Sequence, residues 1–189
     1  MIILGIDPGT LITGYGIIET KSGSMRMISC GAIKNDSKRS MPERLKRIFE
    51  TLNSIVEQFH PDEFAIETAF YGKNAQSALK LGHARGVAML AAVTRNIPVH
   101  EYSPREVKKG IVGKGNASKE QVQFMVKNLL RLKEIPKYYD VTDALAVSIC
   151  HLHRRTTPQA KSFKSWKAFL TAHPEKFIRS GKNRNDFPS

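Results

Sequence analysis

The chain has 189 residues, 41% of them hydrophobic and 8% aromatic, which fits a globular domain with an appendage. Because no apolar run is long enough to cross a bilayer and no secretory signal is recognisable, a membrane-spanning or secreted protein is disfavoured. The net charge of +13 favours a polyanionic partner, with nucleic acid the first expectation and an anionic membrane surface the second; charge that serves solubility alone is the alternative.

The positive charge is spread over the whole chain. Residues 1–150 hold 21 Lys and Arg against 15 Asp and Glu, a net charge of +6, and residues 151–189 hold 9 against 2, a net charge of +7. Regular patterns end after His153, which predicts a domain over residues 1–155 and a basic extension over 156–189. We expect that extension to be disordered or partly helical and to make auxiliary contacts with DNA or a partner. The two cysteines form no disulfide framework, so a cytoplasmic protein is expected.

The first part of the chain predicts three strands. The apolar run from Ile2 to Ile6 is typical of a buried strand that ends at Asp7-Pro8-Gly9. Residues 13–20 and 25–33 predict two further strands in an antiparallel meander. An acid at the end of a buried strand is costly unless a cation, a metal or hydrogen bonds compensate it, although Asp7 as a simple turn cap is the alternative.

Helices and short strands alternate after residue 40, and each is predicted by its periodicity and its end signals. They are a helix from Ser40 to about His60, a strand that ends at Glu67, a helix over 74–95, a strand over 98–102, a helix start at Ser103-Pro104, a flexible loop over 110–115, a helix from Ser118 to about Leu132 and a helix over 140–153. The predicted order is β-β-β-α-β-α-β-α-α. It describes an α/β protein with a mixed five-stranded sheet, antiparallel at first and then joined by parallel crossovers.

Four acids fall at the ends of predicted elements. Asp7 and Glu67 each end an apolar strand, and Asp140 and Asp143 share the first turn of the last helix, where a favourable helix dipole is the simpler explanation. Because ligands collect beyond the carboxyl ends of parallel strands, neighbouring strands would bring these acids together. Clustered carboxylates favour Mg²⁺, and two such ions suit the in-line cleavage of a phosphodiester.

Motifs in a consistent order resemble the RuvC family of Holliday-junction resolvases over about residues 1–153. They are Ile6-Asp7-Pro8-Gly9-Thr10, Gly14-Tyr15-Gly16, Ala65-Ile66-Glu67, Lys73-Asn74-Ala75, residues 79–86 and residues 140–146. The resemblance implies a ribonuclease-H-like fold and a homodimer that cuts four-way DNA junctions by paired symmetric nicks, leaving 5′-phosphate and 3′-hydroxyl ends, during homologous recombination and DNA repair. It also implies two Mg²⁺ ions per site, replaceable by Mn²⁺, a RuvA–RuvB branch-migration partner, and catalytic metal ligands at Asp7, Glu67, Asp140 and Asp143.

The same resemblance suggests DNA contacts. Phe70 matches an aromatic that stacks on an unpaired base, with a core position as the alternative. Lys108 and Lys119 match lysines near the scissile phosphate, with a solvated face as the alternative, and Lys73 lies in the segment of Phe70. Arg85 is a weaker candidate. The glycines four residues apart in the helix over 74–95 suit either internal close packing or the family's dimer contact; they are Gly82 and Gly86.

Two other functional classes remain open from the sequence. Asp-x-Gly-Thr after the first strand resembles the phosphate loop of sugar kinases and actin-like ATPases, although that architecture needs two related lobes. A non-enzymatic module that binds DNA junctions or RNA is the other class. The motif Cys150-His151-x-His153 falls short of structural-zinc spacing, and the end of a helix explains it.

Overall fold

The computed structural model describes residues 1–68 and 75–156. Within them lie five strands and five helices: β1 (Ile2–Asp7), β2 (Ile12–Lys21), β3 (Ser24–Lys34), α1 (Met41–Phe59), β4 (Glu63–Glu67), α2 (Ala75–Val93), β5 (Val99–Tyr102), α3 (Pro104–Val112), α4 (Lys119–Leu129) and α5 (Tyr139–Thr156). Phe70, Lys73 and residues 157–189 of the predicted extension lie outside the described residues. Across the described ranges, no helix is both long and apolar enough to span a bilayer.

The sheet confirms the predicted topology. Its strand order is β3-β2-β1-β4-β5, in which β1 pairs antiparallel with β2 and β2 antiparallel with β3. β1 pairs parallel with β4, and β4 parallel with β5. The central strand is therefore β1, and the carboxyl ends of β1 and β4 lie next to each other.

Helices cover both faces of this sheet, and alternate strand residues divide between two apolar clusters. Phe64 and Ile66 of β4 pack with residues of α1 and α2. Ala65, between them, faces the cluster formed by α3, α4 and α5, of which α5 contributes Leu145. Because both faces of β4 are covered, the strand is a continuous apolar run rather than an alternating one.

The helix α3 differs from the prediction. It continues through Gly110 to Val112, so the loop predicted over 110–115 is wrong for residues 110–112, and the described residues hold five helices instead of four. Ser103 and Glu106 form a capping box at its start, and it ends at Gly113, which has a φ of 80°. A Cβ at Gly110 would lie 2.8 Å from Cys150 Sγ, so the low helix propensity of glycine is outweighed by close packing against α5.

The two glycines of α2 lie on an open surface. No described residue outside the helix lies within 4 Å of a Cβ built at Gly82 or Gly86. The prediction that these glycines serve internal close packing is therefore wrong for the described part of the chain.

Candidate active site

The two central parallel strands carry an acid each to the same end of the sheet. The register pairs Ile6 with Ile66, so the residues that follow, Asp7 and Glu67, stand side by side as the last residues of β1 and β4. The turn after Asp7 is fixed by Thr13, whose Oγ1 donates a hydrogen bond of 2.6 Å to the carbonyl oxygen of Gly9. Two buried strands and one fixed turn thus position this pair of carboxylates.

Helix α5 lies across β1 and β2 at backbone contact distance. A Cβ at Gly14 would lie 1.9 Å from the carbonyl oxygen of Asp140, and a Cβ at Gly5 would lie 2.2 Å from that of Ala144. Only glycine permits such close approach. Since Gly14 is the strand partner of Asp7, the first turn of α5 lies directly beside the end of β1.

The predicted acids share one electrostatic environment. Burial, followed by the charges of Asp143 and Asp140, raises the pKa of Asp7 to about 7. Burial, followed by the charges of Asp7 and Asp143, raises the pKa of Glu67 to about 8. Burial also raises the pKa of Asp143, against the opposing charge of Lys119. Because like charges shift pKa values only at short range, the structure brings all four predicted acids together.

Two of the predicted lysines are among the described residues, Lys108 and Lys119, and both lie at this site. Lys119 begins α4, and its Nζ lies 3.5 Å from Asp143 Oδ2. Lys108, on α3, offsets part of the effect of burial on the pKa values of Glu67 and Asp143. Arg85, the weaker candidate, pairs through its guanidinium with Glu101.

Aromatic residues beside the site were not predicted. Tyr139, just before Asp140, is 45% exposed, and Lys119 Nζ lies 5.4 Å from the centroid of its ring. Lys34 Nζ lies 4.1 Å from the ring centroid of Tyr138. Lysine and aromatic side chains that alternate on a surface are typical of nucleic-acid binding, and this signal was present in the sequence 137–139.

The four carboxylates fit a hard divalent cation. They offer oxygen ligands only, and their mutual repulsion and burial make the ionised forms unfavourable until positive charge is supplied. Among the described residues, three candidate ligand atoms lie within 4.8 Å of one another only in a different group. The four acids are therefore spaced more widely than the ligands of a tight metal site.

That other group lies at the opposite end of β4 and was missed by the sequence reasoning. It consists of Glu63 on β4, His100 on β5 and His151 on α5. His151 contacts Glu63 through Nε2, and its Nδ1 lies 2.6 Å from the hydroxyl of Tyr102. Burial, followed by the neighbouring His100, lowers the pKa of His151 to about 4.

The partners of His151 therefore come from the sheet and not from its own sequence motif. Cys150 Sγ lies 3.6 Å from the carbonyl oxygen of Glu106, and His153 Nδ1 lies 3.0 Å from that of Gly110, so both face α3. The sequence did contain one sign of the group of Glu63, His100 and His151, because Glu63 is an acid at the start of a buried strand.

Comparison with known proteins decides the family. The family model described as crossover junction endodeoxyribonuclease RuvC matches residues 3–151. The chain belongs to the RuvC family. A RuvC from Salinibacter ruber is 42% identical over 93% of this chain and 98% of its own length. A RuvC from Alkaliphilus oremlandii is 51% identical over 81% of this chain and 93% of its own length.

Solved structures agree with the family assignment. The structure titled "T. thermophilus RuvC in complex with Holliday junction substrate" matches with a TM-score of 0.78 and 33% identity, over 82% of this chain and 94% of that chain. The yeast mitochondrial Holliday junction resolvase Ydc2 matches with a TM-score of 0.60, 13% identity and coverage of 94% of this chain and 85% of its own, which shows a shared fold alone.

The predicted family, α/β ribonuclease-H-like fold and enzyme class are confirmed. The protein is an endodeoxyribonuclease of the Holliday junction resolvase class, so the ATPase and non-enzymatic alternatives are set aside. Membership of this nuclease family, together with side chains able to hold a cation, indicates a divalent metal.

Proposed function

We propose that this RuvC-family protein resolves Holliday junctions as an Mg²⁺-dependent endonuclease in the cytoplasm. It would place paired symmetric nicks in four-way junction DNA during homologous recombination and repair, leaving 5′-phosphate and 3′-hydroxyl ends. The observation that supports this most is the convergence of acids from β1, β4 and α5, far apart in the chain, on one end of the sheet. Both cysteines are free, which suits a reducing compartment.

The catalytic metal ligands in this proposal are Asp7, Glu67, Asp140 and Asp143, which would hold two Mg²⁺ ions, with Mn²⁺ as a substitute. When bound, these ions supply Lewis acidity to the scissile phosphate and favour ionisation of a water. The contribution of the chain is to hold the acids in place: two buried strands fix one pair, and the backbone contact at Gly14 fixes the first turn of α5. Rigid positioning of this kind reduces the cost of bringing the phosphate into line.

The positively charged side chains would hold the DNA. Lys119 and Lys108 lie beside the acids, where an ammonium group can contact a phosphate or stabilise negative charge in the transition state. Tyr139 is exposed beside Lys119 and offers a ring for base or sugar contact. Phe70 and Lys73 are proposed as further DNA contacts on the family resemblance alone.

The active form in this proposal is a homodimer that uses α2. One face of α2 carries two apolar side chains, 63% and 51% exposed, with two open glycines between them; in chain order these residues are Leu79, Gly82, Gly86 and Leu90. Their helical spacing forms a stripe on which a second helix can pack closely. A two-fold dimer would place two sites on opposed strands, as the symmetry of the junction requires.

The proposal also includes the domain organisation of the chain and a protein partner. Residues 1–155 would form the nuclease domain, and the basic extension over 156–189 would add contacts to DNA or protein, as its excess of Lys and Arg suggests. RuvA–RuvB, the branch-migration complex of the family, would deliver the junction.

A cleavage assay on a synthetic mobile four-way junction tests this function. With Mg²⁺, we expect nicks at symmetry-related positions on two opposed strands, and ligase should reseal the products because they carry 5′-phosphate and 3′-hydroxyl ends. A linear duplex of the same sequence serves as the control and should remain uncut. Junction binding without any cut in Mg²⁺ or Mn²⁺, or equal cutting of the linear duplex, would contradict the proposal.

A further inference from the structure

Three side chains from three elements converge at the amino-terminal end of β4. Glu63 is the first residue of β4, His100 lies on the neighbouring strand β5, and His151 lies on α5. His100 Nε2 lies 3.9 Å from Glu63 Oε2, and one ligand atom of each residue lies within 4.8 Å of the others. We propose that these three side chains form a binding site for a first-row transition-metal ion, with Zn²⁺ as the ion that best fits two imidazoles and one carboxylate.

The carboxylate has one oxygen directed at the imidazoles. Arg155 Nη1 pairs with Glu63 Oε1, so Oε2 is the atom that faces His151 and His100. The arginine thereby fixes the carboxylate as a ligand with a single donor oxygen, in the way that outer hydrogen bonds orient metal ligands in proteins.

Burial of the group is uneven in a way that suits ion entry. Glu63 is 8% exposed and His151 is 3% exposed, whereas the side chain of His100 is 43% exposed. Donor atoms of a tetrahedral zinc lie about 3.3 Å apart, so a small rotation of the exposed His100 side chain brings the third donor into place. The exposed side also leaves a coordination position open to water.

Tyr102 completes the arrangement. Its hydroxyl lies 2.6 Å from His151 Nδ1, and a hydroxyl can either donate or accept a hydrogen bond. In the metal-free protein, the tautomer of a neutral His151 that suits an ionised Glu63 carries its proton on Nε2, and Nδ1 then accepts from the Tyr102 hydroxyl. When Nε2 binds the ion, the ring proton moves to Nδ1 and donates to the Tyr102 oxygen, so the imidazole stays neutral and no net proton is released from it.

This group is separate from the four acids of the proposed nuclease site. Glu63 and Glu67 are the two ends of one strand, about 13 Å apart at the rise of an extended chain. His151 follows Asp143 by two turns of α5, about 12 Å along the helix. Nitrogen donors select transition ions, whereas the all-oxygen set selects Mg²⁺, so the proposal stands independently of the proposed nuclease mechanism.

Metal titration of the full chain tests the site. Co²⁺ is added in excess Mg²⁺ to the double variant Asp7→Asn/Glu67→Gln, in which the acid cluster is disabled, and visible absorption reports nitrogen coordination. We expect one equivalent bound per chain and displacement by Zn²⁺. Zn²⁺ should also raise Tm by about 5 °C or more when its concentration is about 100 times Kd.

Variants assign the binding to the three residues. His100→Ala, at a half-exposed position that tolerates truncation, and Glu63→Gln should each weaken Co²⁺ binding by about 100-fold or more. The matched control His153→Ala, two residues along α5 on the face toward α3, should retain wild-type affinity. Absence of Co²⁺ binding, binding unchanged in His100→Ala, or loss in His153→Ala would each overturn the proposal.

Discussion

Strand β4 carries a glutamate at each end, and the surroundings of the two side chains differ in kind. Glu63 meets nitrogen groups: His151, His100 and the guanidinium of Arg155. Glu67 meets further acids, so that burial and then the charge of Asp7 raise its pKa to about 8. The same side chain is thus compensated by the protein itself at one end of the strand, and at the other end it requires positive charge from outside the chain.

This difference explains why the catalytic function is assigned to the end of β4 that carries Glu67. An acid that is compensated internally contributes to the fold, whereas uncompensated acids are tolerated only because a ligand of opposite charge is part of the activity. The variants below change one end of β4 or the position of α5, which contributes residues at both ends. They are ordered from the largest expected effect to the smallest.

The strongest contrast is catalytic. Glu67→Gln removes a metal-binding charge, so we expect the Mg²⁺-dependent rate of junction cleavage to fall by about 1,000-fold or more, while junction affinity changes by less than about threefold. Single-turnover cleavage and a gel-shift assay measure the two quantities. The exposed Glu50→Gln on α1 is the matched control and should cut at the wild-type rate. A Glu67→Gln enzyme as fast as the wild type would remove the basis of the comparison.

The approach of α5 to the strands is the next target. In Gly14→Ala the new Cβ would meet the carbonyl oxygen of Asp140, so the first turn of α5 must move away from Asp7. We expect the free energy of unfolding to fall by about 2–3 kcal/mol and the cleavage rate by about 100-fold. Urea unfolding and single-turnover cleavage check both.

A second glycine provides the control for that change. A Cβ at Gly115 would lie 2.6 Å from Cγ of Arg105 and 3.3 Å from the carbonyl oxygen of the same residue, whereas the Cβ at Gly14 would lie 1.9 Å from a carbonyl oxygen. Gly115→Ala should therefore lower both quantities much less than Gly14→Ala. If Gly14→Ala were equally mild, the backbone contact would not be what positions the acids.

Substitution of the two glutamates of β4 should change the free energy of unfolding in opposite directions. In EDTA at pH 8, Glu67→Gln removes the cost of a buried charge and its repulsion by Asp7, and should raise the free energy of unfolding by about 2 kcal/mol. Glu63→Gln leaves Arg155 and His151 without a carboxylate and should lower it by about 1–3 kcal/mol. Urea unfolding of both variants in one buffer measures the signs. Two changes of the same sign would show that the ends of β4 are alike.

The pH dependence of stability is the smallest expected effect. The raised pKa values of Asp7 and Glu67, about 7 and about 8, mean that the folded protein holds protons that the unfolded chain has released. Stability therefore falls as pH rises from the ordinary carboxyl range toward these values, and it levels off above them. His151, with its pKa lowered to about 4, acts in the opposite direction but only below the ordinary histidine pKa.

Between pH 6.5 and 8.5 the acids therefore dominate. In EDTA we expect the free energy of unfolding to fall by about 1–2 kcal/mol over this window, and excess Mg²⁺ should flatten the fall. The double variant Asp7→Asn/Glu67→Gln should show no fall in EDTA. A wild-type curve that rises with pH would contradict the assigned pKa shifts.

The sequence predicted what local patterns determine. Apolar runs that end in acids gave β1 and β4 together with Asp7 and Glu67, and capping serines marked the helix starts at Ser40 and Ser118. The motifs in consistent order gave the family, which the match over residues 3–151 confirms.

Features that depend on pairing between distant segments were not predicted. Gly110 suggested a loop, but it lies in a helix where Cys150, forty residues later, fills the space that a side chain would need. No local signal in the sequence records that contact. Glu63, His100 and His151 meet only because β4 pairs with β5 and α5 lies across both. The role of Gly14 likewise requires knowing which helix faces its strand.

The central claim is that acids from β1, β4 and α5 share a divalent cation. A crystal soaked in Mn²⁺, with data collected at the manganese absorption edge, tests this directly. We predict an anomalous peak about 2.2 Å from carboxylate oxygens of Asp7 and Glu67, and contact of that site with the first turn of α5. No peak at these carboxylates, or a peak only at Glu63, His100 and His151, would contradict the account.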